Sequence, residues 1–173
     1  MNSGKVFTTA HPVYPIFASA GEDRTVRLWN AKKGDAKLLW LEYIGREASA
    51  ISFSPDGMLL AVGTTNGALL ILLSKVEKFK FGTYQDIYEL PSFKVVYSRK
   101  ESEAPVILIK FSKFGDLLAV SYDNDKVGRG FSQERVANSF ILLYRRSASQ
   151  NLSQDTLALY QKVSRIEIPL SRL

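Results

Sequence analysis

The 173-residue chain contains one histidine, His11, and no cysteine. A nucleophilic relay needs a nucleophile and a base oriented by an acid, and a metal site needs several converging donors. His11 stands beside Pro12 in a loop-like stretch and supplies neither arrangement, so a loop role is predicted for it. Without cysteine there is no disulfide, thiolate metal site or cysteine nucleophile. Glu101 and Glu103 fall in the charged stretch Ser98–Glu103, for which solvation is the simplest reading. Gly128-Arg129-Gly130 opens like a phosphate-binding Gly-x-Gly-x-x-Gly, but Gln133 occupies the third glycine position and no apolar-striped helix follows. These residues predict no catalysis, no metal and no cofactor.

Binding chemistry is better represented. Lys+Arg of 23 against Asp+Glu of 17 gives a net charge of +6, a balance that favours acidic partners. Lys78, Phe79, Lys80 and Phe81 alternate, followed by Tyr84 and Tyr88. Such interleaving suits single-stranded nucleic acid, but it equally suits a half-exposed strand with its lysines outward. The strand or protein-contact reading is preferred, and no nucleic-acid partner is predicted. Lys126, Arg129 and Arg135 lie in a second polar insertion, and long loops of this kind commonly meet partners. Lys78, Lys80, Lys126, Arg129 and Arg135 are therefore the candidate contact residues. The longest apolar run, Ala68–Leu73, is far below the ~20 residues of a membrane span. Met1–Thr9 lacks a signal-peptide core. The expectation is a soluble, cytoplasmic protein with no membrane partner.

The elements that position these residues come from internal repeats. The segment from Phe17 to Trp29 matches that from Leu60 to Leu72 as apolar run, polar turn, apolar run, at an offset of 43 residues. Ile51–Val62 matches Ile109–Val120 at an offset of 58, with the extra residues assigned to Val76–Pro91. Ser54-Pro55-Asp56-Gly57 is a tight turn, proline presetting its second residue and glycine supplying positive φ. Gly115 holds the matching place in the later copy. Glu22-Asp23-Arg24 and Thr65-Asn66-Gly67 are the next turns along. Short strands at regular spacing, with no helical period of comparable length, predict an all-β fold.

Ala20-Gly21-Glu22-Asp23-Arg24-Thr25-Val26-Arg27-Leu28-Trp29-Asn30 resembles the most diagnostic part of a WD40 repeat, with Asn30 where the family ends in Asp. Ser52–Gly57 followed by Leu60-Ala61-Val62-Gly63 is similar to the first hairpin of such a repeat. The order Gly4–Phe7, His11-Pro12, Phe17–Asp23, Leu28-Trp29, Ala50–Phe53 and Leu60–Thr64 further resembles the echinoderm microtubule-associated protein-like family. Three features depart from the pattern: Ala10 stands where that family has threonine, the Gly-His opening of many WD40 repeats is missing, and the inserts at Val76–Pro91 and Lys126–Val136 are unusual. The resemblance implies WD40-type β-propeller blades and a non-catalytic role. Its implied partners are tubulin or other microtubule-associated proteins, in the cytoskeleton or in an axoneme of a cilium or flagellum. A general WD40 scaffold in another intracellular complex is the alternative.

About three blades are predicted, over residues 4–43, 48–98 and 105–168. Asp23, Trp29, Gly57 and Gly115 are assigned structural roles in them: Asp23 capping its turn, Trp29 packed between blades. A seven-bladed ring of ~40–45-residue repeats needs roughly 300 residues. The expectation is thus an incomplete propeller, part of a longer chain or a larger assembly.

Overall fold

The computed structural model describes residues 4–31, 36–74, 93–123, 139–147 and 160–168. They form twelve strands: β1 (Val6–Ala10), β2 (Ile16–Gly21), β3 (Thr25–Asn30), β4 (Lys37–Tyr43), β5 (Ala48–Phe53), β6 (Leu59–Thr64), β7 (Ala68–Ser74), β8 (Phe93–Lys100), β9 (Val106–Phe111), β10 (Leu117–Tyr122), β11 (Ser139–Arg146) and β12 (Tyr160–Ile168). Every pairing is antiparallel, and each successive group of four makes its own sheet in chain order. The described residues contain no helix.

The period-2 geometry of a strand gives each sheet two faces, and in the middle sheet both faces are apolar. The sheets therefore stack as blades. Ala18, Ala20, Val26 and Leu28 of the first blade pack on Leu60, Val62, Leu70 and Leu72 of the second. Leu59, Ala61, Leu69 and Ile71, from the second blade's other face, pack on Leu118, Val120, Leu142 and Tyr144 of the third. The innermost strands β1, β5 and β9 approach one another in sequence. Among the described residues no core cluster joins the first blade to the third. The molecule is an open arc of three blades, an incomplete propeller.

One irregularity recurs. Where β3 meets β4 the register slips between Leu28 and Trp29, and β7 against β8 slips between Ile71 and Leu72. β11 against β12 slips between Leu143 and Tyr144. The slips fall at matching positions and leave one extra residue in each outer strand: Leu39, Val96 and Val163. Leu39 and Val96 turn into the inter-blade cores.

Candidate functional site

The tight turns do more than reverse the chain. In the second blade Gly57 N donates to Ser54 O at 2.9 Å, Leu59 N to Ser54 Oγ at 2.9 Å and Met58 N to Asp56 Oδ1 at 3.0 Å. The third blade repeats this with Gly115 N to Ser112 O at 3.0 Å and Leu117 N to Ser112 Oγ at 3.0 Å. Its aspartate, Asp116, now follows the glycine yet still accepts from Ser112 Oγ. Both glycines hold positive φ, at 71° and 72°. In the first blade Asp23 Oδ1 accepts from Thr25 N and Oγ1, and Oδ2 pairs with Arg27 at 2.6 Å. Arg24 takes φ 64° at the place held by Gly67 one repeat later.

The Gly57 and Gly115 turns meet at one end of the arc, together with the β1–β2 loop that carries His11. The Asp23 turn, between β2 and β3, lies at the other end. Nδ1 of His11 accepts from Val13 N and Tyr14 N, both at 3.1 Å, which holds the ring over Phe53 at a centroid distance of 5.1 Å. The imidazole also hydrogen-bonds the backbone of Gly57. Burial keeps its pKa below 6.5, outweighing that bond and the nearby Asp56 charge. From the other side Arg146 Nη1 reaches Asp56 Oδ2 at 3.1 Å. Burial pushes the Asp56 carboxyl up, but hydrogen bonds from Ser54, Met58 and Arg146 bring it below its ordinary value. The second blade's turn is thereby held by a residue from each neighbour. Sequence reading placed His11 in a loop but had no signal for this clamp, because both partners are remote along the chain.

Trp29 lies on the first blade's outer face, turned away from the second blade. It stacks on Phe17 at 6.1 Å and donates through Nε1 to Ser19 Oγ at 2.8 Å. Lys78 and Lys80, and Lys126, Arg129 and Arg135, lie outside the described residues. The strands that carry them show where they attach. Ser74, at the end of β7, bonds Met58 O beside the clamped turn, whereas Asp123, after β10, bonds Pro105 O. Consecutive antiparallel strands put these two attachment points on opposite ends of the arc.

The solvated-loop reading of Glu101 is overturned. Its side chain is only 5% exposed, accepts from Tyr97 Oη at 3.0 Å and forms ion pairs with Arg99 Nε at 3.3 Å and Lys162 Nζ at 3.6 Å. Glu103, by contrast, is 81% exposed and pairs with Lys100. The chain returns toward the core after β8, with Glu101 N donating to Gly67 O, and this turns one carboxylate inward. A cavity of ≈ 320 Å³ adjoins it between the outer strands of the second and third blades, lined by Tyr144, Tyr160 and Gln161 among others. Burial, then the bond to Glu101, raises the Tyr97 phenol to about 12, and burial raises Tyr160 to about 12. The Tyr160 hydroxyl donates to Gly115 O at 2.6 Å. The cluster ties two blades together, and the resting protonation of its tyrosines offers no base near neutrality. Among the described residues no group of three His, Cys, Asp or Glu side chains could hold a metal ion.

Stacked four-stranded blades with Asp-capped turns define a WD40-type β-propeller arc. The family model for the WD domain, G-beta repeat, matches residues 3–30. Human echinoderm microtubule-associated protein-like 2 is 29% identical over 115 residues, 66% of this chain and 15% of its own length. Cilia- and flagella-associated protein 43 of Chlamydomonas reinhardtii is 28% identical over 109 residues, 62% of this chain and 6% of its own. The chain thus spans a small part of these relatives.

Solved structures resemble the whole arc. The Cps50 (Swd1) β-propeller domain of Myceliophteria thermophila aligns at TM-score 0.64 and 15% identity, over 95% of this chain and 46% of that one. Sqt1 of Chaetomium thermophilum, bound to the N-terminus of ribosomal protein L10, aligns at 0.64 and 15% identity, over 96% and 38%. A Bacteroides uniformis structure bearing a 6-phosphogluconolactonase assignment aligns at 0.64 and 14% identity, over 93% and 40%. At these identities the likeness shows the fold alone.

Proposed function

We propose that the chain is a non-catalytic microtubule-associated or axonemal binding module built from WD40 blades. The supporting observation is similarity to two separate proteins, one named for microtubules and one for cilia and flagella, each over about two thirds of the chain. The +6 charge supports an acidic protein surface as the partner, and Lys78, Lys80, Lys126, Arg129 and Arg135 are the proposed contacts. The fold by itself is silent on catalysis; the non-catalytic reading rests on the absence of an acid–base or nucleophile–base pair among the described residues.

Co-sedimentation with microtubules over a range of ionic strength tests this reading. Binding at low salt that weakens as salt rises is the expected result, and no pelleting at low ionic strength rejects it. Charge reversal of Lys78 and Lys80, and separately of Lys126, Arg129 and Arg135, then assigns the contact to one end of the arc. The Sqt1 structure, which holds a segment of another protein, favours a general scaffold as the second reading. Affinity capture from the native source, dominated by proteins unrelated to tubulin, would select it.

A further inference from the structure

Tyr97, Arg99 and Glu101 alternate along β8 and its exit, so the period of a strand sets all three on one side. Tyr160 and Lys162 alternate in the same way at the start of β12, and Tyr144 of β11 pairs with Lys162. These side chains line the cavity of ≈ 320 Å³ between the outer strands of the second and third blades. The site is built wholly by the junction of those two blades and needs no further blade on either side.

Its charged lining is Arg99, Lys162 and Glu101, an excess of positive charge. The carboxylate offers about four acceptor positions, one of them taken by the Tyr97 hydroxyl, against five N–H donors on an arginine and three on a lysine. Glu101 is buried, whereas the side chains of Arg99 and Lys162 are 70% and 45% exposed, so the cations stand at the mouth. Deeper in, Tyr144 is 1% exposed. Its hydroxyl, and that of Tyr122 beside it, are buried with no hydrogen-bond partner. Even a bond closed between the two would leave one O–H unused. Burial holds both phenols protonated at neutrality, so each is a donor. Native interiors rarely leave such a donor unpaired, because its desolvation then goes uncompensated.

We propose that this cavity receives the carboxylate of an acidic side chain from a partner protein, accepting from the Tyr144 hydroxyl and pairing with Arg99 and Lys162. The proposal rests on the reading of an acidic partner surface and gives that surface a contact separate from the basic loop residues. Charge selects an anion: an entering ammonium or guanidinium would be the third cation around one carboxylate, and the Tyr144 proton would still lack an acceptor. Size selects a side chain, since ≈ 320 Å³ is at the lower end of the ~300–1,000 Å³ of small-molecule pockets. The mouth opens along the rim between β8 and β12, where an extended acidic segment can lie.

Calorimetric titration of the full chain with a glutamate-rich peptide, and with the same peptide carrying glutamine throughout, tests the proposal. The glutamate peptide should bind and the glutamine peptide should not. Tyr144→Phe deletes the orphaned hydroxyl, so it should keep or raise the urea midpoint while weakening the glutamate peptide about tenfold or more. Arg99→Gln, at an exposed position that spares the fold, should weaken it by a similar factor. Equal binding of the two peptides overturns the proposal, and so does binding of neither, the outcome if water alone fills the cavity. Binding indifferent to Tyr144→Phe also overturns it, because diffuse attraction to surface charge does not sense a neutral hydroxyl. Glutarate that matches the peptide in affinity would assign the cavity to a small dicarboxylate and overturn the protein partner. No microtubule enters these titrations. A chain that binds the peptide yet fails to pellet rejects the microtubule reading alone, and one that pellets without binding the peptide rejects this site alone.

Discussion

The second and third blades have similar sequences and different surroundings. In β6 every side chain is buried, and in β7 all are buried through Leu72. In β10 and β11 buried positions alternate with half-buried ones. Ile141 and Leu143 are as apolar as Leu69 and Ile71, so the contrast comes from the neighbour and not from composition. A blade's stability is therefore set largely by what flanks it, as in other arrays of nearest-neighbour units.

Substitutions at paired sites can break or sharpen that contrast. Ile71→Ala should cost about 2–5 kcal/mol, as deletion of a fully buried aliphatic side chain does. Leu143→Ala, at the matching site of the third blade, should cost about 1 kcal/mol because half its gain from burial is missing. Urea unfolding at a concentration where the chain is monomeric measures both, and equal costs would end the comparison.

Gly57 and Gly115 form a second pair. Alanine at either meets the left-handed penalty of about 1–2 kcal/mol. At Gly57 it would also overlap the His11 ring, which the Val13 and Tyr14 amides hold in place, whereas at Gly115 it would only touch Pro55. Gly57→Ala should cost a further ~1–3 kcal/mol from overpacking, and the difference in urea midpoints reads out the clamp.

Glu101 and Glu103 make the third. Glu101→Ala should cost about 1.5–3 kcal/mol, the range for hydrogen bonds to a charged group, and Glu103→Ala less than about 0.5 kcal/mol. In Glu101→Gln the Tyr97 phenol should also titrate below about 12, which absorbance at alkaline pH would show.

The smallest effect belongs to Arg146→Ala, about 0.2–1 kcal/mol for a partly exposed ion pair. Because the Asp56 carboxyl lies below its ordinary 3.8 in the folded chain, its contribution is complete above that pH. It is lost as pH falls through the lower folded value. Asp56→Asn should flatten that part of the acid-unfolding curve.

What the sequence showed, and what it hid, follow from the range of the interactions. The turn at Ser54–Gly57 and its copy ending in Gly115 were legible because serine, aspartate and glycine act within a few residues. Strand β12 was visible only as the alternation of Val163–Ile168; its start at Tyr160 depends on pairing with Arg146. The inward turn of Glu101 was hidden because its partner Lys162 is remote in sequence, so a charged stretch read as solvated. Likewise nothing local in Leu39, Val96 or Val163 marks the register slip, which the partner strand imposes. The open arc itself was anticipated from the repeat count, whereas which of its faces would remain uncovered needed the packing.

Those three slips have a bearing on solubility. An outermost strand presents unpaired N–H and C=O groups that could template a foreign strand. A bulge at the same place in every blade bends and twists that border, so no long, flat rail is available along the rim. Growth of this architecture is thereby steered away from the fibril-like, edge-to-edge route and toward the broad faces of the blades, where side-chain shape can discriminate one neighbour from another.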